Sequence, residues 1–332
     1  MQVKFYRNFI FLIILSVLVL ASGCQPAVAP VKEAVQAAPA PTSTQVEIGK
    51  TPTVTATVLP TPTTGEQMTQ AAPLATSTGQ AERIPPDRWQ DWPVVPLISS
   101  RAVQIYQEGV KKGNNPRAFS KIGDCETITE WFLSDFDRGG DHFVLGPYPQ
   151  LQTVIDTYRG SYGRLGVAAM RGFTAASVLN PYWRDVEKCD KNETPLACEI
   201  RLNKPAFALI MLGTNDVARP ERYEKNLRAV IDETIRLGVL PVLMTKADNL
   251  EGDNSLNLTT ARLAYEFDIP LWNFWKAVQG LPSKGLTEDQ SHLTFAPNDF
   301  SDPENLKRAW PVRNLTALEV LDAIRQAVDL KP

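Results

Sequence analysis

The sequence predicts an α/β domain with a mainly parallel sheet that helices cover on both faces. Two apolar runs, residues 205–212 and 239–244, are bounded by proline or glycine and have the length of buried strands. Residues 222–237 lie between them and repeat apolar side chains at helical spacing. Strands that alternate with helices in this way are typical of parallel sheets, which are buried on both faces.

The remaining predicted elements continue this alternation. Residues 118–122 form a short strand, and a helix follows over residues 126–136. Residues 256–267 form a helix, 269–274 a strand, and 315–328 a closing amphipathic helix. Functional side chains are expected in the loops after the carboxyl ends of the strands, where open α/β sheets bind their ligands.

The first 23 residues have the layout of a secretory signal peptide. Lys4 and Arg7 precede an apolar run at residues 9–20, which is too short to span a bilayer. Ala-Ser-Gly and Cys24 follow, which resembles a bacterial lipobox with a lipidated cysteine, although Ala21 stands where leucine is usual. We therefore expect an extracytoplasmic protein that lipid on Cys24 anchors to the cell membrane. An ordinary signal peptide with an incidental cysteine is the alternative.

A linker and one folded domain are expected after the signal peptide. Residues 24–84 are rich in alanine, proline and threonine and have no hydrophobic period, which predicts a disordered linker. Residues 85–332 are long enough for one domain with a sizeable core, and we expect a monomer. The net charge of the chain is -3, which argues against a nucleic-acid partner because such a partner calls for a basic face.

The four cysteines of the chain fall into three groups. Cys24 is assigned to lipid. Cys189 and Cys198 have eight residues between them in a polar loop, and in an oxidising compartment this spacing favours a local disulfide. Cys125 is left over, and such a cysteine in an exported protein calls for a chemical explanation. A buried structural cysteine is the alternative.

Three short segments with reactive side chains fall at predicted strand ends. Residues 123–127 (GDCET) precede the first helix, residues 213–216 (GTND) follow the second strand, and residues 289–292 (DQSH) lie late in the chain. They supply a nucleophile at a helix N-terminus, an amide donor and an Asp–His pair, which are the groups that acyl transfer requires. The only other histidine, His142, lacks such a partner pattern, so neither a zinc site nor another cofactor is expected.

The order and spacing of these segments resemble the SGNH (GDSL) hydrolases. Residues 123–125 match the Gly-Asp-Ser block of that family, with cysteine in place of serine, and residues 213–216 match its Gly-x-Asn-Asp block. Residues 289–292 match its Asp-x-x-His block, and Gly172 is the best of several candidates for its second-block glycine. The resemblance covers roughly residues 115–330. It implies a three-layer α/β/α sandwich of the flavodoxin-like type.

The resemblance also implies a role for each matched residue. Cys125 would attack the carbonyl carbon of an O-acyl ester, His292 would act as general base and then as general acid, and Asp289 would orient the imidazole. The oxyanion would accept hydrogen bonds from the backbone N–H groups of Cys125 and Gly172 and from the side-chain amide of Asn215. The implied activity is that of an esterase or acyltransferase on a lipid, glycan or envelope component.

Cysteine in place of serine leaves two interpretations open. A thiol at a helix N-terminus near an imidazole ionises readily, which favours a thiol enzyme. Sulfur is larger than oxygen, and the carboxylate of the neighbouring Glu126 opposes thiolate formation, which favours a non-catalytic lipoprotein whose cleft binds a carbohydrate or envelope ligand. The sequence therefore predicts an ester hydrolase, with a binding protein as the alternative.

Overall fold

The computed structural model describes residues 83–329. The predicted signal peptide, the predicted lipidation site at Cys24 and nearly all of the predicted linker lie outside these residues. Within the described range, no helix is both long enough and apolar enough to cross a bilayer.

The centre of the domain is a parallel sheet. The strands of the described chain are β1 (Asn115–Gly123), β2 (Phe143–Val144), β3 (Pro205–Met211), β4 (Leu240–Met244), β5 (Leu271–Trp272) and β6 (Asn298–Asp299). Four of them pair in parallel in the order β1-β3-β4-β5, and β2 pairs with β6 in a separate two-stranded sheet. Every residue of β3 and β4 is buried, as expected for strands covered on both faces. The predicted α/β class with a mainly parallel sheet is therefore confirmed.

Helices connect these strands and cover the sheet. Those of the described chain are α1 (Ser100–Lys111), α2 (Cys125–Ile128), α3 (Asp135–Arg138), α4 (Gln152–Thr157), α5 (Pro195–Asn203), α6 (Pro220–Arg236), α7 (Ser255–Phe267), α8 (Phe274–Val278) and α9 (Ala309–Ala327). Helix α1 begins where the Ser99 hydroxyl accepts a hydrogen bond from the N–H of Ala102. Helix α6 begins at Pro220, a position where the missing N–H of proline costs no helical hydrogen bond.

The predicted helix at residues 126–136 is wrong, because two short helices, α2 and α3, stand in its place. Leu133, between them, has a φ of 68°. The side chain of Asn314 on α9 accepts a hydrogen bond from the N–H of Leu133 at 3.1 Å and donates one to the carbonyl of Trp131 at 2.9 Å. These backbone groups are satisfied by a distant side chain, so the helical ladder does not continue through them.

Two other predicted elements differ in length. Helix α9 begins at Ala309, before the predicted residue 315, and Pro311 lies in its first turn, where proline is tolerated. Strand β5 is shorter than the predicted range 269–274. Asn273 ends it, because its side chain accepts a hydrogen bond from the N–H of Lys276 and caps α8.

The predicted disulfide between Cys189 and Cys198 is present. The segment is not a loop throughout, since Cys198 is buried in α5. Arg201 on the same helix binds the Glu193 carboxylate through two nitrogens at 2.7 and 2.8 Å, which also fixes the loop. Cys189, Glu193 and Cys198 are the group of possible metal ligands found in the described chain, and the disulfide uses both sulfurs.

The carboxyl end of β1 is the point around which the predicted site residues gather. A side chain at Gly123 would place its Cβ 2.4 Å from the carbonyl oxygen of Met211 and 2.3 Å from the hydroxyl of Thr127, so only glycine allows this close approach. On the other side of β1, Ala169 bridges to Gly123, and the N–H of Met170 donates to the Gly123 carbonyl at 3.1 Å. The segment that leads to Gly172 therefore lies beside the loop that follows β1.

Candidate active site

A histidine and an aspartate form a direct pair in the loop before α9. Nδ1 of His292 lies 2.5 Å from Oδ2 of Asp289. The other oxygen of Asp289 accepts hydrogen bonds from the N–H groups of Ser291 and His292 and from the Thr287 hydroxyl, at 2.9, 3.0 and 2.7 Å. Partial burial raises the pKa of Asp289, but these hydrogen bonds outweigh it and hold the pKa well below its usual range. An ionised Asp289 favours the tautomer of His292 that carries its proton on Nδ1.

The loop that carries His292 is joined to the segment that carries Cys125. The N–H of Leu293 donates to Oε1 of Glu126 at 3.0 Å, and Glu126 directly follows Cys125 in α2. Nη1 of Arg313 lies 3.4 Å from Oε2 of Glu126 and also donates to its backbone carbonyl at 3.1 Å. Glu126 therefore ties together α2, the histidine loop and α9.

Arg313 is a buried cation beneath this junction. Its side chain is 1% exposed, and its guanidinium carbon lies 4.4 Å from the ring centre of Phe132 and 5.1 Å from that of Trp310. Burial lowers the pKa of Arg313 and raises the pKa of Glu126 to about 7, although each group favours the charged form of the other. Burial also raises the pKa of Asp124 to about 6. The junction therefore contains carboxyl groups that titrate near neutral pH.

A small cavity opens at the carboxyl ends of the strands. Its volume is about 20 Å³, which is room for roughly one water molecule. The charged side chains that line it are Asp124, Glu126, Lys246, Asp248 and Arg313. Nζ of Lys246 donates to Asp248 at 2.7 Å and to Glu251 at 2.5 Å, and the hydroxyl of Thr214 donates to Asp248 at 2.7 Å. This buried network fixes the loop after β4 against the loop after β3.

Cys125 occupies the predicted nucleophile position, at the first residue of α2. It is half-buried, and it is disulfide-bonded in this structure, whereas Cys189 and Cys198 bond to each other. The sequence interpretation gave Cys125 a thiol, and a sulfur atom in a disulfide cannot attack an ester, so such attack requires reduction first. Helix α2 has only four residues, so it adds little of the dipole that the sequence interpretation used to stabilise a thiolate.

The structure brings the loops of Asn215 and Gly172 together, as the oxyanion assignment requires. Nδ2 of Asn215 donates to the carbonyl of Phe173 at 3.1 Å, and Phe173 directly follows Gly172. Asp216, the next residue, accepts the N–H of Ala175 with both carboxylate oxygens at 3.1 Å. Burial raises the pKa of Asp216 to about 6, although the hydrogen bonds from Ala175 lower it.

Three other glycines lie near Gly172 in the sequence, and their surroundings set them apart. The N–H groups of Gly160 and Gly163 both donate to the carboxylate of Asp137, at 2.7 Å each. A Cβ at Gly166 would lie 2.6 Å from a carboxylate oxygen of Glu199. These contacts leave Gly172 as the candidate whose neighbours include Asn215.

Several residues of this site were not predicted as functional from the sequence. Arg313 and Lys246 lie in segments whose neighbours are almost all buried, and a charged residue inside such a segment is the signal that could have identified them. Glu126 was recognised only as a neighbour of Cys125. Its bond to Leu293 joins residues 167 positions apart, which no local pattern predicts.

Comparison with known proteins gives matches in structure only. No protein-family model and no curated protein matches this chain. The chain is similar to a psychrotrophic esterase from Pseudoalteromonas sp., with 18% identity and a TM-score of 0.38, over 64% of this chain and 99% of that one. It is also similar to a GDSL-like lipase from Bacteroides thetaiotaomicron, with 16% identity and a TM-score of 0.37, over 68% of this chain and 99% of that one.

A third similar structure is a catalytic mutant of an acetylxylan esterase from Geobacillus stearothermophilus. It shares 16% identity with a TM-score of 0.39, over 61% of this chain and 93% of that one. These structures are GDSL (SGNH) esterases and lipases. Their family is the one that the sequence motifs resemble, and at these identities the likeness concerns the fold alone.

Proposed function

We propose that this protein is an ester hydrolase that acts outside the cytoplasm on the O-acyl ester of a lipid, glycan or envelope component. The observation that carries the proposal is the His292–Asp289 pair, at 2.5 Å, in a loop that a hydrogen bond joins to the segment of Cys125. A base whose second ring nitrogen is held by a carboxylate is the arrangement that activates a nucleophile in acyl transfer.

Each residue then has a defined step. The thiol of Cys125 gives its proton to Nε2 of His292, and the sulfur attacks the carbonyl carbon to form a tetrahedral intermediate. The oxyanion accepts hydrogen bonds from the N–H groups of Cys125 and Gly172 and from the second N–H of the Asn215 amide. His292 returns the proton to the leaving alcohol, and water then releases the acyl group from sulfur by the same steps in reverse order.

A second candidate is a non-catalytic protein whose cleft binds a carbohydrate or envelope ligand. The observation that favours it is the disulfide at Cys125, because sulfur in that state is not a nucleophile. Under the hydrolase proposal the active form is the one in which this bond is reduced. The two candidates therefore differ in what a reducing agent does to the protein.

The test is ester hydrolysis by the full chain with and without reducing agent. We expect reduced wild type to cleave p-nitrophenyl acetate, and Cys125→Ala and His292→Ala each to lose as much activity as the double variant, because the pair acts as a unit. Asp289→Asn should cost less than the loss of Cys125. His142→Ala is the matched control and should keep full activity.

Two outcomes decide between the candidates. Hydrolysis by Cys125→Ala at the rate of reduced wild type would remove Cys125 from the mechanism. If reduced wild type neither cleaves an ester nor reacts with a fluorophosphonate probe, the binding function replaces the hydrolase. Cys125→Ser adds a separate comparison, because its hydroxyl cannot form a disulfide and should act without reductant if the site accommodates oxygen.

We further propose that lipid on Cys24 anchors the protein to the cell membrane in the form in which Cys125 is reduced, with residues 24–84 as a spacer. The support is the sequence of the first 24 residues, with its short apolar run and the small residues before Cys24. Cys24→Ser is expected to release the protein from the membrane fraction. If the variant stays with the membranes as the wild type does, the anchor is not lipid on Cys24.

A further inference from the structure

The loop that carries His292 is shaped by its own hydrogen bonds. The N–H of Thr287 donates to the carbonyl of His292 at 2.8 Å. Oδ1 of Asp289 accepts the N–H groups of Ser291 and His292 at 2.9 and 3.0 Å. Because these bonds begin and end inside the loop, they fix the Asp289–His292 pair but not the distance from His292 to Cys125.

Two adjacent residues of this loop connect it to other parts of the domain. The carbonyl and the hydroxyl of Thr294 accept hydrogen bonds from the N–H groups of Trp310 and Ala309, both at 3.0 Å. The N–H of Leu293 donates to Oε1 of Glu126 at 3.0 Å. Thr294 thus attaches the loop to the start of α9, and Leu293 attaches it to α2, the helix of the proposed nucleophile.

Arg313 closes these contacts into a ring. It lies four residues after Ala309 on α9, and residues at this spacing share one face of a helix. Its Nη1 donates to the carbonyl of Glu126 at 3.1 Å and lies 3.4 Å from Oε2 of the same residue. The ring runs from Leu293 through Glu126 and Arg313 to the start of α9, and it returns through Thr294. A closed ring of contacts leaves the histidine loop little freedom to move relative to α2.

The carboxylate of Glu126 lowers stability at this place. Burial raises its pKa to about 7, although Arg313 favours the charged form. A carboxylate whose pKa is raised by burial destabilises the folded state at neutral pH relative to an uncharged side chain, so stability alone does not account for this residue. The charged and titratable groups around it are Arg313 on α9, Asp124 in the loop after β1, His292 in the histidine loop, and Lys246 and Asp248 across the small cavity.

We propose that Glu126 is a positioning residue of the hydrolase, and that its hydrogen bond to the N–H of Leu293 holds the imidazole at the distance from the Cys125 thiol that proton transfer requires. Proton transfer needs donor and acceptor within hydrogen-bond reach, and a displacement of about 1 Å can lower a rate by roughly 100-fold. The catalytic role rests on the proposed hydrolase function, whereas the fixing of the histidine loop can be measured without a substrate.

The test compares two substitutions of Glu126 that have similar length and no charge. Glutamine keeps an oxygen that can accept the N–H of Leu293, whereas methionine offers only a weakly accepting sulfur. Both remove the carboxylate partner of Arg313, so the difference between Glu126→Gln and Glu126→Met isolates the bond to the loop. Glu130→Met is the matched control, because Glu130 lies in the same segment with 64% of its side chain exposed.

The first measurement is kcat and KM of the full chain for p-nitrophenyl acetate in the presence of reducing agent. We expect Glu126→Met to lower kcat by roughly 10- to 100-fold through displacement of the imidazole. KM should stay within about 3-fold of wild type, because the lost interaction is not one with the substrate. Glu126→Gln should keep kcat within about 3-fold of wild type, because it retains the acceptor. Glu130→Met should change neither constant.

The second measurement is hydrogen exchange of residues 286–294 in the full chain without reducing agent. Exchange should be roughly 5- to 30-fold faster in Glu126→Met than in wild type, the size of one lost hydrogen bond to a charged group. It should stay within about 3-fold of wild type in Glu126→Gln. If Glu126→Met does not fold, the same comparison is made with Arg313→Met added to both variants, because that leaves no unpaired buried charge.

The outcomes separate the positioning role from the hydrolase proposal. Equal kcat in Glu126→Met and Glu126→Gln overturns the positioning role and leaves the hydrolase intact. A higher KM with unchanged kcat in Glu126→Met also overturns it, in favour of a contact with the substrate. If wild type cleaves no ester, the hydrolase proposal fails. Faster exchange in Glu126→Met then still supports the fixing of the histidine loop by Glu126, and equal exchange overturns that as well.

Discussion

Substitution of Glu126 by glutamine tests whether the raised pKa of Glu126 makes the stability of the folded protein depend on pH. Burial raises the pKa of Glu126 from 4.5 to about 7. A carboxyl group whose pKa is higher in the folded state stabilises the protein fully below the unfolded pKa and loses that contribution as the pH rises through the folded pKa. The two pKa values correspond to a loss of about 2.5 kcal/mol between pH 5 and pH 8. Glutamine keeps an acceptor for the N–H of Leu293 but does not titrate. The unfolding free energy of Glu126→Gln should therefore not show this decrease with rising pH.

The assay is urea unfolding of wild type and Glu126→Gln at pH 5, 6, 7 and 8, followed by tryptophan fluorescence without reducing agent. The stability of Glu126→Gln relative to wild type should rise by about 2.5 kcal/mol from pH 5 to pH 8, with half of the change above pH 6. Glu130→Gln is the matched control, because its carboxylate is 64% exposed in the same segment, and its difference from wild type should stay within about 0.5 kcal/mol. A difference between Glu126→Gln and wild type that is constant, or that falls as the pH rises, would refute the reasoning.

Two further stability predictions follow from single contacts. The double variant Cys189→Ala with Cys198→Ala should lose about 2.6 kcal/mol of unfolding free energy in urea, because the disulfide closes a loop with a separation of nine residues. A loss below about 1 kcal/mol would mean that other contacts hold the loop. Asn273→Ala should lose about 2–3 kcal/mol of unfolding free energy. The buried amide of Asn273 donates a hydrogen bond to the carbonyl of Trp89 at 2.9 Å and accepts one from the hydroxyl of Thr245 at 3.2 Å. Faster hydrogen exchange confined to residues 83–98 would support this prediction, and unchanged stability would contradict it.

The sheet could be predicted from the sequence because the residues that identify its central strands lie within those strands. Strands β3 and β4 are continuous apolar runs with proline or glycine at their ends, and such runs have few alternatives to burial. Helix α6 was predicted within two residues at its start because its apolar side chains repeat at helical spacing. In each case the residues that decide the element lie inside it or next to it.

The helix after β1 was mispredicted because a distant residue decides where it ends. The backbone of residues 131–133 bonds to Asn314, which lies more than 180 positions away. A local pattern of apolar residues can indicate a helix in this segment. It contains no information about the side chain of Asn314 on α9, which competes for the backbone hydrogen bonds of the helix. The ring of Trp131, whose carbonyl accepts a hydrogen bond from Asn314, lies 5.1 Å from that of Phe295.

The state of Cys125 is the clearest case in which the chain pattern and the structure differ. From the sequence, Cys24 was assigned to lipid and Cys189 and Cys198 to a disulfide, so Cys125 was expected to carry a thiol. In the structure Cys125 is disulfide-bonded, and the sequence contains no local feature that would distinguish the two states. Sulfur pairing depends on which segments meet in space, and spacing along the chain constrains it only for close pairs such as Cys189 and Cys198.

The sequence by itself determined the parallel α/β sheet, the strand-end positions of residues 123–127 and 213–216, the Asp289–His292 pair and the Cys189–Cys198 disulfide. Each of these depends on residues close together in the chain, where geometry follows from hydrogen bonds and spacing. The strand-end position predicted for residues 289–292 is wrong, because they lie in a loop that follows a 3-10 helix rather than a strand. The tertiary structure alone decided that Glu126 joins the histidine loop to Arg313 and that Asn215 lies against Phe173. These contacts join segments separated by 40 to almost 190 residues, and only the packing of the whole domain brings them together.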